Sequence, residues 1–219
     1  MHRSGTSALA GTLNLAGVYL GGVLNQSIQR NPKGLWEAPA VLFMHQNLLE
    51  ANGGDWHSPP EAVHWGKLHE AVRDLFIESR AGQPIWGFKD PRALLTIEGW
   101  FKVLPEMECV GIFRHPAEVA LSIHSRNQFD MEKCFEIWRA YNQRLLTLKQ
   151  AHGFPIIEFV SDGPRMAQSI TALLDQLGLA ATPEALGFYE TEMKHHDHPA
   201  VDLPPHVMEL YEALQGEAL

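Results

Sequence analysis

Apolar residues along this chain follow two rhythms. One returns every three or four positions. After an opening turn it takes in Leu9, Leu13, Leu15 and Ala16, and later Met166, Ile170, Leu173, Leu174 and Leu177, with Gly178 just beyond. That spacing predicts amphipathic helices, and a glycine directly after the last apolar position predicts where the second one stops. The other rhythm is the short unbroken run: Pro84–Phe88 (PIWGF), Glu108–Phe113 (ECVGIF) and Pro155–Val160 (PIIEFV). Runs of this length, rich in β-branched and aromatic residues, predict buried strands. Each precedes a segment with helical character. Pro116–Ser125 starts with proline in its first turn, as helices tolerate, and a further helix is expected from Pro39. Strand and helix in alternation predict an α/β fold: a mostly parallel sheet covered by helices on both faces, in one domain over residues 1–219.

Parallel α/β sheets bind phosphate and nucleotide beyond the carboxyl ends of their strands. Here those ends are basic. The first run leads into Lys89-Asp90-Pro91-Arg92 and the second into Arg114-His115-Pro116. The chain also opens on a segment of the same chemical kind, His2-Arg3-Ser4-Gly5-Thr6-Ser7-Ala8, directly ahead of the first helical pattern. A glycine turn at a helix start offers unpaired backbone N–H groups and the positive end of the helix dipole, and arginine and hydroxyls add donors for an anion. The competing reading is an ordinary Ser/Thr helix cap. Such a loop is expected to follow a strand. No strand precedes it here, so either the sheet's first strand is expected upstream of Met1, the favoured reading, or the loop is supported in some other way.

Composition narrows the function. The chain has 219 residues, 45% apolar and 20% charged, with a formal charge of −9. The acidic balance argues against general binding to nucleic acid or anionic membrane, so clustered cations stand out. No apolar run reaches membrane-span length and no signal peptide is visible. Cys109 and Cys134 are the only cysteines, without a CxxC or a disulfide framework, which suits a cytoplasmic protein. A Walker pattern is absent: around Gly66-Lys67, Glu61 stands where the first glycine belongs and Leu68 where Ser/Thr belongs. The strand ending at Phe113 leads into arginine, not the acidic residue a magnesium-dependent NTPase often has there.

Three segments together, HRSGTSAL, FKDPR and FRHPAEVALSIHSR, resemble the bacterial branch of sulfotransferases that use 3′-phosphoadenosine 5′-phosphosulfate (PAPS). The pattern R-x-P-x-x-V-x-x-S-x-x-x-R is met at Arg114, Pro116, Val119, Ser122 and Arg126, and IIEFVSDGPRMAQSITALLDQLGL resembles the family's later strand and helix. The resemblance runs from Arg3 to about Leu179. It implies a three-layer, P-loop-like sulfotransferase fold and metal-independent sulfuryl transfer from PAPS to a hydroxyl or amine, leaving 3′,5′-ADP. It implies a 5′-phosphosulfate site formed by Arg3, Ser4, Gly5, Thr6, Ser7 and Ala8, and a 3′-phosphate site formed by Arg114, Ser122 and Arg126. Arg3 takes the place of the loop's catalytic cation. Lys89 either reaches the same oxygens or forms a structural pair with Asp90, and Arg92 is either a site residue or a carboxylate's partner.

Attack by the acceptor releases a proton, so a general base is expected. The resemblance points to Glu37; the alternative role is a carboxylate favouring the dipole of the helix from Pro39. His45, His57 and His64 are the histidine alternatives. The cluster His195-His196-Asp197-His198 lacks metal-ligand spacing, and His69-Glu70 has Arg73 where a zinc motif needs its second histidine. Lys194 to His196 reads as a solvated loop or, by resemblance, a contact to cofactor phosphate. Trp56 and Trp65, near the expected loop Asn52–Pro60, are candidates for the acceptor side. A glycan, lipid or small-molecule acceptor is expected. The alternatives are a nucleotide or metabolite kinase using ATP and magnesium, and a non-catalytic nucleotide-binding module.

Overall fold

A computed structural model of the chain describes residues 1–24, 34–190 and 201–219. The fold is mixed α/β and mostly helical. Its elements run α1 (Thr6–Leu15), α2 (Pro39–Ala51), α3 (Lys67–Glu78), α4 (Ala93–Thr96), α5 (Glu98–Phe101), β1 (Gly111–Arg114), α6 (Pro116–Asn127), α7 (Met131–His152), β2 (Ile156–Phe159), α8 (Gly163–Gln176), α9 (Pro183–Glu190) and α10 (Pro205–Glu217). None of these helices is long and apolar enough to cross a membrane. The chain divides into two compact units, one formed by Met1–Ala16 with Glu108–Leu219 and the other by Gly17–Met107.

The first unit is built on a parallel pair. β1 and β2 align Gly111 with Ile156 and Arg114 with Phe159. Both were legible as apolar runs, and all four residues of β2 are buried. A parallel pair needs a crossover, here made by α6 and α7. Pro116 opens α6, and the Asp130 side chain caps α7 by accepting from the Lys133 amide. Asp162 caps α8 in the same way, through the Arg165 amide. Past the end of α8, Gly178 takes φ +65°, a conformation glycine adopts without strain. α8 lays Met166, Ile170, Leu173 and Leu174 against Ile112, Ile157 and Phe159, with Ala8 and Leu9 of α1 in the same core. Each large apolar side chain withdrawn there is worth about 1.5–3 kcal/mol.

In the second unit, α2 and α3 pack together beside an aromatic cluster. Phe76, Trp86, Phe88 and Trp100 meet edge-on or tilted, and Phe88 and Trp100 have ring centres 4.2 Å apart. This cluster takes up one of the three expected strands. The run Pro84–Phe88 is not a strand; it makes one isolated parallel bridge, Tyr19 to Trp86. Its apolar residues serve ring packing, with Trp86 and Phe88 turned to Phe76 while Ile85 stays exposed. Among the described residues the sheet therefore has two strands.

Candidate functional site

The opening loop reaches α1 through Gly5, which sits at φ +80°, and Arg3 shares the left-handed region at φ +64°. A Cβ on Gly5 would run into the ring of Phe159, the last residue of β2. Glycine thus answers two demands there, a backbone that favours it and a ring that leaves no room for more. The first intrahelical bond joins the Leu9 amide to the Gly5 carbonyl at 3.0 Å, and no side chain caps α1. The loop is therefore not a Ser/Thr cap. The amides of Thr6, Ser7 and Ala8 precede that first bond and carry the positive end of the helix dipole. Ser4 departs from its expected role: it is fully buried and its hydroxyl points to the His2 carbonyl at 3.5 Å. Ala8 lies in the core and has only its amide to give.

Two further expected residues join this loop. Arg3 Nε donates to Ser122 Oγ at 2.8 Å, linking positions 119 apart in sequence. Arg114, at the end of β1, lays its guanidinium over the Phe159 ring, Cζ 5.3 Å from the centroid. Phe159 is thus a common floor beneath Gly5 and Arg114. The Arg114 carbonyl accepts from Trp138 Nε1 at 3.0 Å, which fixes the backbone where β1 turns into α6. Its Nη2 is ion-paired with Glu118, one helical turn into α6. Its Nε is buried and has no hydrogen-bond partner among the described residues. An unsatisfied buried donor costs on the order of 1–3 kcal/mol. Arg126 is exposed in the last turn of α6, where a cation suits the dipole.

The candidates of the second unit are neutralised from within. Lys89 Nζ donates to Glu37 Oε1 at 2.8 Å and to the Leu35 carbonyl at 2.9 Å; the pair is about nine-tenths buried, at 12% and 8% side-chain exposure. Lys89 therefore pairs with the expected base, not with Asp90. Asp90 Oδ1 instead accepts from the Arg92 amide and from Arg92 Nη1, both at 2.9 Å. Arg92 is this carboxylate's structural partner.

Asp90 Oδ2 faces His45 Nδ1 at 3.1 Å, with both side chains fully buried. Trp100 Nε1 donates to His45 Nε2 at 2.9 Å. An indole N–H only donates, so Nε2 accepts and the ring proton sits on Nδ1, facing Asp90. With both nitrogens engaged, His45 is not placed to act as a base. Burial alone would raise the Asp90 pKa, but the hydrogen bonds from His45 and the Arg92 amide and the charge of Arg92 outweigh it and bring it from 3.8 to about 2.

The remaining candidates are structural or peripheral. Trp65 packs edge-on to His45 and Trp100, with Arg73 over its ring, so it belongs to the aromatic cluster. His57 is paired with Asp55 at 2.9 Å in the expected loop, and Trp56 packs edge-on to His57. His64 is exposed. Lys194 and the cluster His195–His198 lie outside the described residues. Among those described, no three His, Cys, Asp or Glu side chains are grouped to hold a metal ion. Burial pushes the Cys109 thiol up to about 11, so it is not a thiolate nucleophile.

Glu118, Phe159 and Trp138 were missed in the sequence. Only Glu118 left a local signal, its position four residues after Arg114. No family model, curated protein or solved structure matches this chain.

Proposed function

We propose that this chain is a PAPS-dependent sulfotransferase acting on a hydroxyl or amine acceptor. One observation carries the reading: the Arg3–Ser122 hydrogen bond joins the glycine loop to the helix that follows Arg114, segments more than a hundred residues apart. An uncapped helix start and Arg114, with its unsatisfied Nε, both border Phe159, and Arg3 belongs to the same loop as that helix start. These groups suit the phosphates of a nucleotide: oriented amides and arginine donors bind phosphoryl oxygens directly.

On this reading, PAPS supplies an activated sulfuryl group. The bond from sulfur to the bridging phosphate oxygen breaks as the acceptor oxygen or nitrogen bonds to sulfur, and 3′,5′-ADP leaves. Arg3 and the first-turn amides of α1 neutralise charge on the leaving phosphate. Arg114 holds the 3′-phosphate, with Ser122 and Arg126 further along α6. Glu37 takes the acceptor's proton, and Lys89 fixes the carboxylate that receives it. The β1–β2 pair would form part of a larger three-layer, P-loop-like sheet, and the acceptor would be a small molecule, glycan or lipid met in the cytoplasm.

Arg114→Ala tests the assignment. Loss of a half-buried guanidinium should weaken 3′,5′-ADP binding roughly a hundredfold while leaving 5′-AMP nearly unaffected. Equal losses for both nucleotides would remove Arg114 from the 3′-phosphate site.

A further inference from the structure

We infer that Glu118 is an intramolecular competitor for the Arg114 anion site, setting how tightly that site takes a phosphate. The inference rests on the nucleotide reading above. Three observations lead to it. First, the Glu118 carboxylate is ion-paired with Arg114 at Nη2. The edge of a guanidinium formed by Nε and one Nη can hold two oxygens of a carboxylate or phosphate at once, and here the Nε prong makes no hydrogen bond among the described residues. Second, Nε is buried and has no hydrogen-bond partner among the described residues. The Glu118 pairing thus leaves an unsatisfied donor. Third, the guanidinium rests on the Phe159 ring, beside the glycine that ends the opening loop. That flat support fixes the height of the group and leaves rotation in its plane as the easy movement.

A phosphate monoester presents several oxygens at a fixed spacing. Meeting Arg114 along the edge, it engages both prongs and satisfies Nε. To do so it must take Nη2 from Glu118, and the displaced carboxylate remains close by as a like charge. Glu118 is 9% exposed and Arg114 19%, so solvent screens that repulsion only in part. Without a ligand, the same carboxylate compensates a half-buried cation. Glu118 thereby trades affinity for a resting state without an unpaired charge.

The test compares wild type, Glu118→Gln and Glu118→Asp by calorimetric titration with 3′,5′-ADP and 5′-AMP, with thermal melts confirming that each variant is folded. Removing the negative charge should tighten 3′,5′-ADP roughly five- to tenfold, the scale of one unit charge beside another in a solvated site. Binding of 5′-AMP, which lacks the 3′-phosphate, should not change. Aspartate, too short to hold Nη2 in this way yet still charged, should fall between wild type and glutamine. A folded Glu118→Gln that binds 3′,5′-ADP as wild type does, or more weakly, overturns the inference and leaves the nucleotide reading standing. If wild type and both variants fail to bind 3′,5′-ADP, the reading falls and the inference with it.

Discussion

The two units hold the same kind of residue in different surroundings. Each carries cations where the sequence places a strand end: Lys89 and Arg92 in one, Arg114 in the other. In the second unit every such cation meets a buried carboxylate. Lys89 holds Glu37, Arg92 holds Asp90, and Asp90 is further tied to His45. In the first unit Arg114 also meets a carboxylate, Glu118, and its Nε, like that of Arg92, is buried without a hydrogen-bond partner among the described residues; what sets it apart is its seat on Phe159, beside a helix start that no side chain caps. Carboxylates tied into a buried network hold a conformation, whereas a cation beside an uncapped helix start is suited to an incoming anion. Basic residues after a strand are therefore no sign of a phosphate site until their surroundings are known.

The largest effect that would break this contrast is at Glu37. If the Glu37–Lys89 pair serves only to hold the unit together, Glu37→Gln should lower stability and leave turnover alone. As the base, Glu37→Gln should slow sulfuryl transfer by roughly 10²–10⁴-fold. Nucleotide binding should be unchanged. Rates under acceptor saturation, measured beside 3′,5′-ADP titrations, separate the two roles.

Asp90 sharpens the structural side. Asp90→Ala leaves Arg92 and His45 without their common acceptor in a fully buried setting and should cost about 3–5 kcal/mol, read from denaturant unfolding. The intact carboxylate has a folded pKa of about 2, below its ordinary 3.8. A depressed carboxyl stabilises the fold fully above its unfolded value, and that contribution disappears as pH falls through the folded one. Acid unfolding of wild type should therefore include a component between about pH 4 and pH 2 that Asp90→Asn lacks. Superimposable acid curves would count against the network. A smaller loss is expected at Gly5: an alanine there must adopt φ near +80° and displace Phe159, costing about 2–4 kcal/mol. It should also weaken 3′,5′-ADP binding, whereas Asp90→Ala in protein that remains folded should not.

What was legible in the sequence was local. Proline at the start of α6, glycine after α8 and two short apolar runs are signals carried within a few residues, and β1, β2, α6 and α8 stand where those signals put them. The long helix α7 could have been found in the same way, from Asp130 at its start and an apolar face through Phe135, Trp138, Tyr141 and Leu145. The run Pro84–Phe88 misled because an apolar stretch looks the same whether it enters a sheet or an aromatic cluster. Pairings were the least readable. Neighbouring Lys89 and Asp90 invited pairing, but their partners lie elsewhere: Glu37, 52 positions away from Lys89, and His45, 45 positions away from Asp90. Such long-range partners leave no mark in local spacing. The opening loop was readable because its parts are contiguous, and its bond to Ser122 was not.

The most direct test of the central claim is calorimetric titration of the protein with 3′,5′-ADP in the absence of metal, beside ATP with magnesium. Metal-free binding of 3′,5′-ADP, with little or none of ATP and magnesium, is the result predicted by an arginine-lined site. Preference for ATP with magnesium, or no binding of 3′,5′-ADP, would contradict it.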